Sequence, residues 1–422
     1  MVFLFSKSPA KITNSRDYES FLDQSHLHQA MRQNLEEAAF WKKRLQNDTG
    51  SFVNKMELAR YLITIFQLNG RPEIIQEADS LLKAASTCLG NRDADLLFAL
   101  SQNSITRHQF REAAFYTDAA AKTNANQYTL CLLQFDAAME RGLYPEAIRA
   151  LEKLKDKSGF DYLIRRAKWE DHRGDLSSAI ALMERALSKV QNQERLRNWA
   201  MANLADMYAH AGKLQEAYDG YLEVLSADPS HFHCLQGIAW IAYSHDRDLK
   251  TADSIYSFIC SQRFAPEIVL LRAELAAEGG DKARQQQFAN EFFGMLTGCS
   301  GKEMYHKYLI EELAMQPATR DSAVSLAAKE CKSRFTPEAC DLMAWALYQR
   351  GDTLAAYRYA KVYVYRRSFE PSVLYHMAII FSAVGDLSAA LDLIETCLES
   401  SFELGPVKAK EMLALRKAVA DR

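Results

Sequence analysis

Two pairs of chain breaks, each pair 34 residues apart, constrain this sequence more than any other feature. His108 and Gly142 form one pair, Gly351 and Gly385 the other. Each break separates two stretches with apolar residues at helical period. The clearest case runs from Asn198 to Pro229. Met201, Leu204, Ala205 and Tyr208 recur at i, i+3, i+4 and i+7, which places them on one face of a first helix. Gly212 breaks that helix, and Ala217, Tyr221, Val224 and Leu225 give the stripe of a second, ended by Asp228-Pro229. Helices this short are marginal alone in water, so each must bury its stripe against neighbours. A fixed period of helix pairs predicts a stack in which each pair touches mainly the next.

The spacing resembles that of the tetratricopeptide repeat, W-x2-L-G-x2-Y, then A-x3-F, then P, over ~34 residues. Leu204, Ala205, Tyr208, Ala217, Tyr221 and Pro229 stand at the matching places, with Met201 for the first aromatic and Ala205 for the glycine. Small residues at 205 and 217 suit two helix backbones in close approach. The resemblance implies an all-α fold: an α-solenoid of stacked helix-turn-helix repeats forming a right-handed superhelix. It also implies a non-catalytic scaffold or adaptor that binds a protein or peptide in its concave groove.

Along the chain, residues 1–28 read as a lead-in and 29–229 as N-terminal repeats, with a first helical stripe from about Gln29. Gly70, His108, Gly142, Gly174 and Gly212 are the successive breaks. Residues 230–335 read as degenerate helical repeats: no glycine stands at the break near Arg247, and Gln285 replaces the alanine of a second helix. Within them, Tyr305–Met315 and Thr319–Lys332 are expected as a helix pair of weaker register. The pattern returns in 336–422, which ends in a polar capping helix from Pro406 to Val419.

Composition is that of a globular chain, 48% hydrophobic and 25% charged, and scarce Gly (17) and Pro (9) argue against linkers and loop-rich β folds. A net charge of −3 gives no footprint for nucleic acid. The eight cysteines form no C-x2-C pair, which suggests neither a zinc site nor a redox motif, and no disulfide framework is expected. No run approaches a membrane span. The opening MVFLFSKSPAKITN is too short for a signal-peptide core, so the chain as written reads cytoplasmic. Stretches such as AKWEDHRGDL, GIAWIAYS, DLMAWALYQRGD and SSFELGP also look like exported bacterial tetratricopeptide proteins. That likeness implies the alternative of an exported, periplasmic or cell-envelope protein whose start is a truncated signal sequence.

Phosphate-cradling, zinc-protease and nucleophile-elbow motifs are missing, so neither catalysis nor a cofactor or metal is expected. The rival readings are a structural subunit of a larger cell-envelope assembly, or an enzyme with its site in 230–335. Two groups of residues are candidates for partner contact. Glu140, His172 and His210 each stand two residues before a break, and His245 holds the same place if the next break is at Arg247. Equivalent places in adjacent repeats are neighbours, so the four should form a ladder. Arg165, Lys168, Asn203 and Asp206, one and two turns earlier, extend the polar strip along the groove. The plain alternative is that histidines near helix ends simply suit the dipole. The second group is Tyr357, Tyr359, Tyr363 and Tyr365 with Arg366 and Arg367: the tyrosines cannot share one helix face, so some should be exposed as an interface. Trp169 beside Arg165-Arg166 is expected in the core, its arginines in a salt-bridged face. The carboxylate clamp by which some tetratricopeptide proteins hold chaperone tails is not expected. Leu132 and Ile164 stand where its lysine would be, Asp136 replaces an asparagine, and only Asn203 matches.

Overall fold

The computed structural model describes residues 10–421. The apolar opening pentad of the sequence lies outside them. A long helix, Gln24–Asn47, leads into ten successive helical hairpins. Units 1 to 5 are Phe52–Asn69 with Pro72–Cys88, Ala94–Thr106 with Phe110–Ala120, Gln127–Glu140 with Tyr144–Glu152, Phe160–His172 with Leu176–Lys189, and Glu194–His210 with Leu214–Ala227. Units 6 to 10 are Phe232–Ser244 with Leu249–Gln262, Pro266–Glu278 with Lys282–Leu296, His306–Met315 with Arg320–Ser333, Pro337–Arg350 with Thr353–Tyr363, and Pro371–Ala383 with Leu387–Glu399. Pro406–Ala420 closes the stack. This is an all-α solenoid of tetratricopeptide-like hairpins.

Local chemistry explains the punctuation. Side-chain oxygens of Asp93, Asn126, Asp175, Asp248, Asp281 and Thr336 cap helix starts, each accepting a backbone N–H. Proline opens the first helices of units 7, 9 and 10, where its missing N–H costs nothing. The turns of units 2 to 5, 7, 9 and 10 share one bond pattern: in unit 5, Lys213 N–H donates to the Tyr208 carbonyl and Gly212 N–H to that of Ala209, which needs a left-handed residue in between. Gly212 supplies it at φ 72°. In unit 2 His108 takes the same conformation at φ 56°, and in unit 6 Arg247 at φ 60°.

The small residues sit where backbones meet. Ala205 and Ala217 are fully buried, and a Cβ added at Gly220 would lie 3.1 Å from that of Ala205. Tyr221 is buried too, and its ring lies so close to Gly237 of the next unit that a Cβ there would come within 2.4 Å. Burial of such a side chain contributes ~1.5–3 kcal/mol.

Residues 230–335 form three hairpins, units 6 to 8, and the expected pair within them is His306–Met315 with Arg320–Ser333. Two expectations need correction. The first long helix starts at Gln24 rather than Gln29. The tyrosines of 357–365 are half-buried, with none exposed. Tyr357 donates to Asp386 at 2.9 Å, Tyr357 and Tyr365 both pack on Phe381, and Tyr359 and Tyr363 pack on each other. The helix ends at Tyr363, so Tyr365 turns back inward; Arg366 and Arg367 are exposed.

The solenoid also lies on itself, which no single hairpin announces. The turn of one unit meets the chain that enters the unit about six further on. Phe264 N–H donates to the Asn69 carbonyl at 2.8 Å, and Phe335 N–H to the Arg141 carbonyl at 3.3 Å. A Cβ at Gly70 or Gly142 would lie 2.4 Å from the carbonyl oxygen of Phe264 or Phe335, so these turns need glycine for proximity as well as for φ. Further along this seam, Gly174 faces the Phe369 ring, and Trp240 and Ser244 donate to the Phe402 carbonyl at 3.0 and 2.6 Å. The lead-in joins it: Asp246 accepts from Ile12 N–H, Thr13 N–H and Thr13 Oγ1, and Lys11 pairs with Asp248 at 2.7 Å.

Candidate partner-binding face

The first helix of unit 5, Glu194–His210, carries Arg195, Trp199, Asn203, Asp206 and His210 at spacings of four, four, three and four, hence along one face. Ala202, Leu204, Ala205 and Ala209 bury the rest of the helix. On this face Trp199 is 42% exposed.

The strip is knitted from unit to unit. Arg165 forks onto Asp136 of the unit before, with Nε 3.1 Å and its terminal nitrogen 2.6 Å from the two carboxylate oxygens. Lys168 pairs with Glu140 at 2.8 Å. Burial alone would raise Glu140, but the charge and hydrogen bond of Lys168, with Arg334 nearby, hold it below the usual carboxylate range. Asp206 accepts from the Tyr221 hydroxyl at 2.7 Å and meets His233 Nε2 at 2.7 Å; that bond raises the His233 pKa. The Asn203 side-chain amide donates to the Trp199 carbonyl at 2.7 Å. Arg166 bonds Glu170 at 2.5 Å while Trp169 packs into the core, as the salt-bridged reading of that segment has it.

The ladder stands at the seam. Glu140, His172 and His210 end their helices, and His245 follows the end of the next. The structure brings His172 and His210 together on one cavity of about 220 Å³, shared with Asp171, Glu338, Glu370 and Glu403. His172 stacks on Tyr144 with ring centroids 4.1 Å apart, and burial lowers its pKa. His210 Nδ1 lies 3.6 Å from Glu403. Burial pushes Glu403 up to about 7, and it also raises Glu370 and Asp171. Glu140 lies apart, against Lys168 and Arg334. His245 is tied to Asp246 at 2.9 Å, beneath the lead-in.

At the other end of the same helix face lies a cleft of about 890 Å³ between the helices of Gln24–Asn47 and unit 1 and those of units 5 and 6. Arg195, Asn198, Trp199, His231, His233 and Arg263 line it. The sequence signalled none of these. Arg195 and Trp199 could have been found, since they continue the stripe of Asn203 and Asp206 toward the N-terminus. Arg263 and His231 sit between hairpins, where no periodicity reaches.

No family model and no curated protein matches the chain. Among solved structures it is similar to PilF of Pseudomonas aeruginosa, at 15% identity over 52% of this chain and 97% of that one, TM-score 0.37. It is also similar to yeast Tom70, at 10% identity over 92% of this chain and 96% of that one, TM-score 0.41. A tetratricopeptide repeat protein from Parabacteroides merdae shares 15% identity over 62% of this chain and 98% of its own, TM-score 0.34. The all-α fold itself rests on the hairpins described above.

Proposed function

We propose that the chain is a non-catalytic scaffold that binds a protein partner along the strip of units 3 to 6. The observation that carries this reading is Trp199: a large aromatic left exposed in mid-strip, with Arg195 and Asn203 one turn either side. Exposed tryptophan beside arginine is the composition of interface hot spots. The pairs Asp136–Arg165, Glu140–Lys168 and Asp206–His233 keep the surrounding surface rigid, so a partner meets a preformed face. The side chains at the clamp places are engaged otherwise: Leu132 is buried, and Asp136 is spent on Arg165. Peptides should therefore gain nothing from a free C-terminal carboxylate.

The test is affinity capture with the parent chain and with Trp199→Ala, read by mass spectrometry. One stoichiometric partner lost in the variant supports the scaffold as a subunit of an assembly; several substoichiometric partners lost together support an adaptor. Partners retained equally by the variant would remove the strip from the reading. The ladder is tested by replacing His172 and His210 together with Gln. If affinity and its pH dependence match the parent, these histidines are helix ends and nothing more.

A further inference from the structure

The cleft beside Trp199 exists because the solenoid lies on itself, and its charges are left unmatched. Elsewhere, shielded guanidinium groups meet carboxylates: Arg107 meets Asp79 at 2.7 Å, Arg272 meets Asp253 at 2.8 Å and Arg334 meets Glu330 at 2.6 Å. Arg263 has no such partner among the described residues. Its guanidinium is half-buried, lies 5.7 Å from the centroid of the Phe232 ring, and its Nε is buried with no hydrogen-bond acceptor. The neighbouring Glu267 acts on it through its charge without bonding it, and one Glu267 oxygen is itself buried without a donor. A shielded guanidinium with no carboxylate bonded to it is costly. Arg195, exposed at the outer edge, makes no ion pair among the described residues either. His231 adds a buried Nδ1 without a partner, and His233 is held by Asp206.

Two carboxylates share the wall. Asp228 is spent on the backbone N–H and hydroxyl of Ser230, at 3.1 and 2.6 Å. Glu194 opposes an anion from the outer edge.

We propose that this cleft binds the carboxylate side chains of an extended acidic peptide segment, with Arg263 as the deeper anchor and Arg195 as the outer one. The choice of a peptide rests on the scaffold reading above; the preference for anions rests on the unmatched guanidinium. Its size is at the large end of ligand sites, and it is continuous with the helix face that carries Trp199.

The probe is a fluorescein-labelled, C-terminally amidated eight-residue peptide of alternating Glu and Ser, with Gln and Lys counterparts of equal length. Binding is read by anisotropy in low salt. The acidic peptide should bind, and the other two should not at the same concentrations. Arg263→Gln should weaken it by about tenfold or more, the scale of a lost charged hydrogen bond. Arg195→Gln is on the surface and leaves the fold intact, so it keeps the test valid if Arg263→Gln unfolds; it should weaken binding several-fold. Glu194→Gln should strengthen it, and Lys410→Gln, exposed on the closing helix away from strip and cleft, should leave it unchanged. Competition by free glutarate alone, without displacement by unlabelled peptide, would assign the cleft to small dicarboxylates and overturn the peptide. Equal binding of all three peptides, or indifference to both arginine variants, would overturn the site. Loss of partners by Trp199→Ala with no acidic-peptide binding would sink this inference and leave the scaffold standing.

Discussion

Arg247 shows what a hairpin stack pays when the break lacks glycine. It holds φ 60° with an exposed side chain, a conformation that costs a residue with a Cβ ~1–2 kcal/mol. Arg247→Gly should therefore raise the melting midpoint despite glycine's greater unfolded entropy, by a net of about 0.5–1 kcal/mol. Arg247→Ala should not, and equal midpoints for the two variants would show that the strain is absent. Glu403 is the counterpart in charge. Its carboxyl is shielded at the seam, with His210 partly offsetting the burial and Glu370 and Asp171 adding to it, and titrates at about 7 instead of the ordinary 4.5. A folded pKa above the unfolded one means the folded state binds the proton more tightly. The contribution is therefore full below about pH 4.5 and is lost as pH rises through 7. Glu403→Gln should stabilise the protein at pH 8 by about 1–3 kcal/mol and gain nothing near pH 4.5. Urea melts at the two pH values check it; a gain of equal size at both would mean packing, not ionisation.

At the scale of the element, the helix contacts leave no room for added methyl groups. Ala217→Leu places three extra carbons at a fully buried contact and should cost about 1–3 kcal/mol by thermal melt. Gly237→Ala should cost as much, because its new methyl meets the Tyr221 ring, itself buried. An unchanged melt for both would mean that adjacent hairpins are held more loosely than these contacts imply. The alanine and tyrosine places were legible in the sequence because they recur at fixed offsets within one hairpin. The breaks were legible where glycine marks them. His108 could be placed by its spacing from Gly142, and Arg247 only by analogy, since a left-handed residue without glycine leaves no compositional mark. The tyrosine cluster departs from expectation for a related reason: helical period does not continue past Tyr363, where the helix stops and Tyr365 folds back onto Phe381.

Across the whole molecule the seam decides the shape. Its bonds end largely on backbone carbonyls, those of Asn69, Arg141 and Phe402, and a carbonyl is the same for every residue. That is why periodicity could put Asn203 and Asp206 on one helix face with His210, while the closure that encloses the two ends of the strip left no trace in the sequence. Gly142→Ala should push against the Phe335 carbonyl and loosen the closure, raising the radius of gyration in small-angle scattering. Gly351→Ala strains a left-handed turn of the same kind at φ 103°, with nothing within 4 Å of the new methyl, and should leave the radius unchanged. Equal radii for the two would mean the seam does not hold the shape.

An open stack of hairpins tolerates the gain or loss of one member, because each member is bounded only by the two beside it. This chain has given up that freedom. Remove a hairpin between units 3 and 7, and Asn69 no longer faces Phe264, Arg141 no longer faces Phe335, and the unmatched arginine of the cleft is carried away from the helix that completes it. The number of hairpins is thus fixed as firmly as the number of staves in a barrel. Variation among descendants of this chain should fall in the lengths of individual helices and in the surface of the strip, and the count should stay the same.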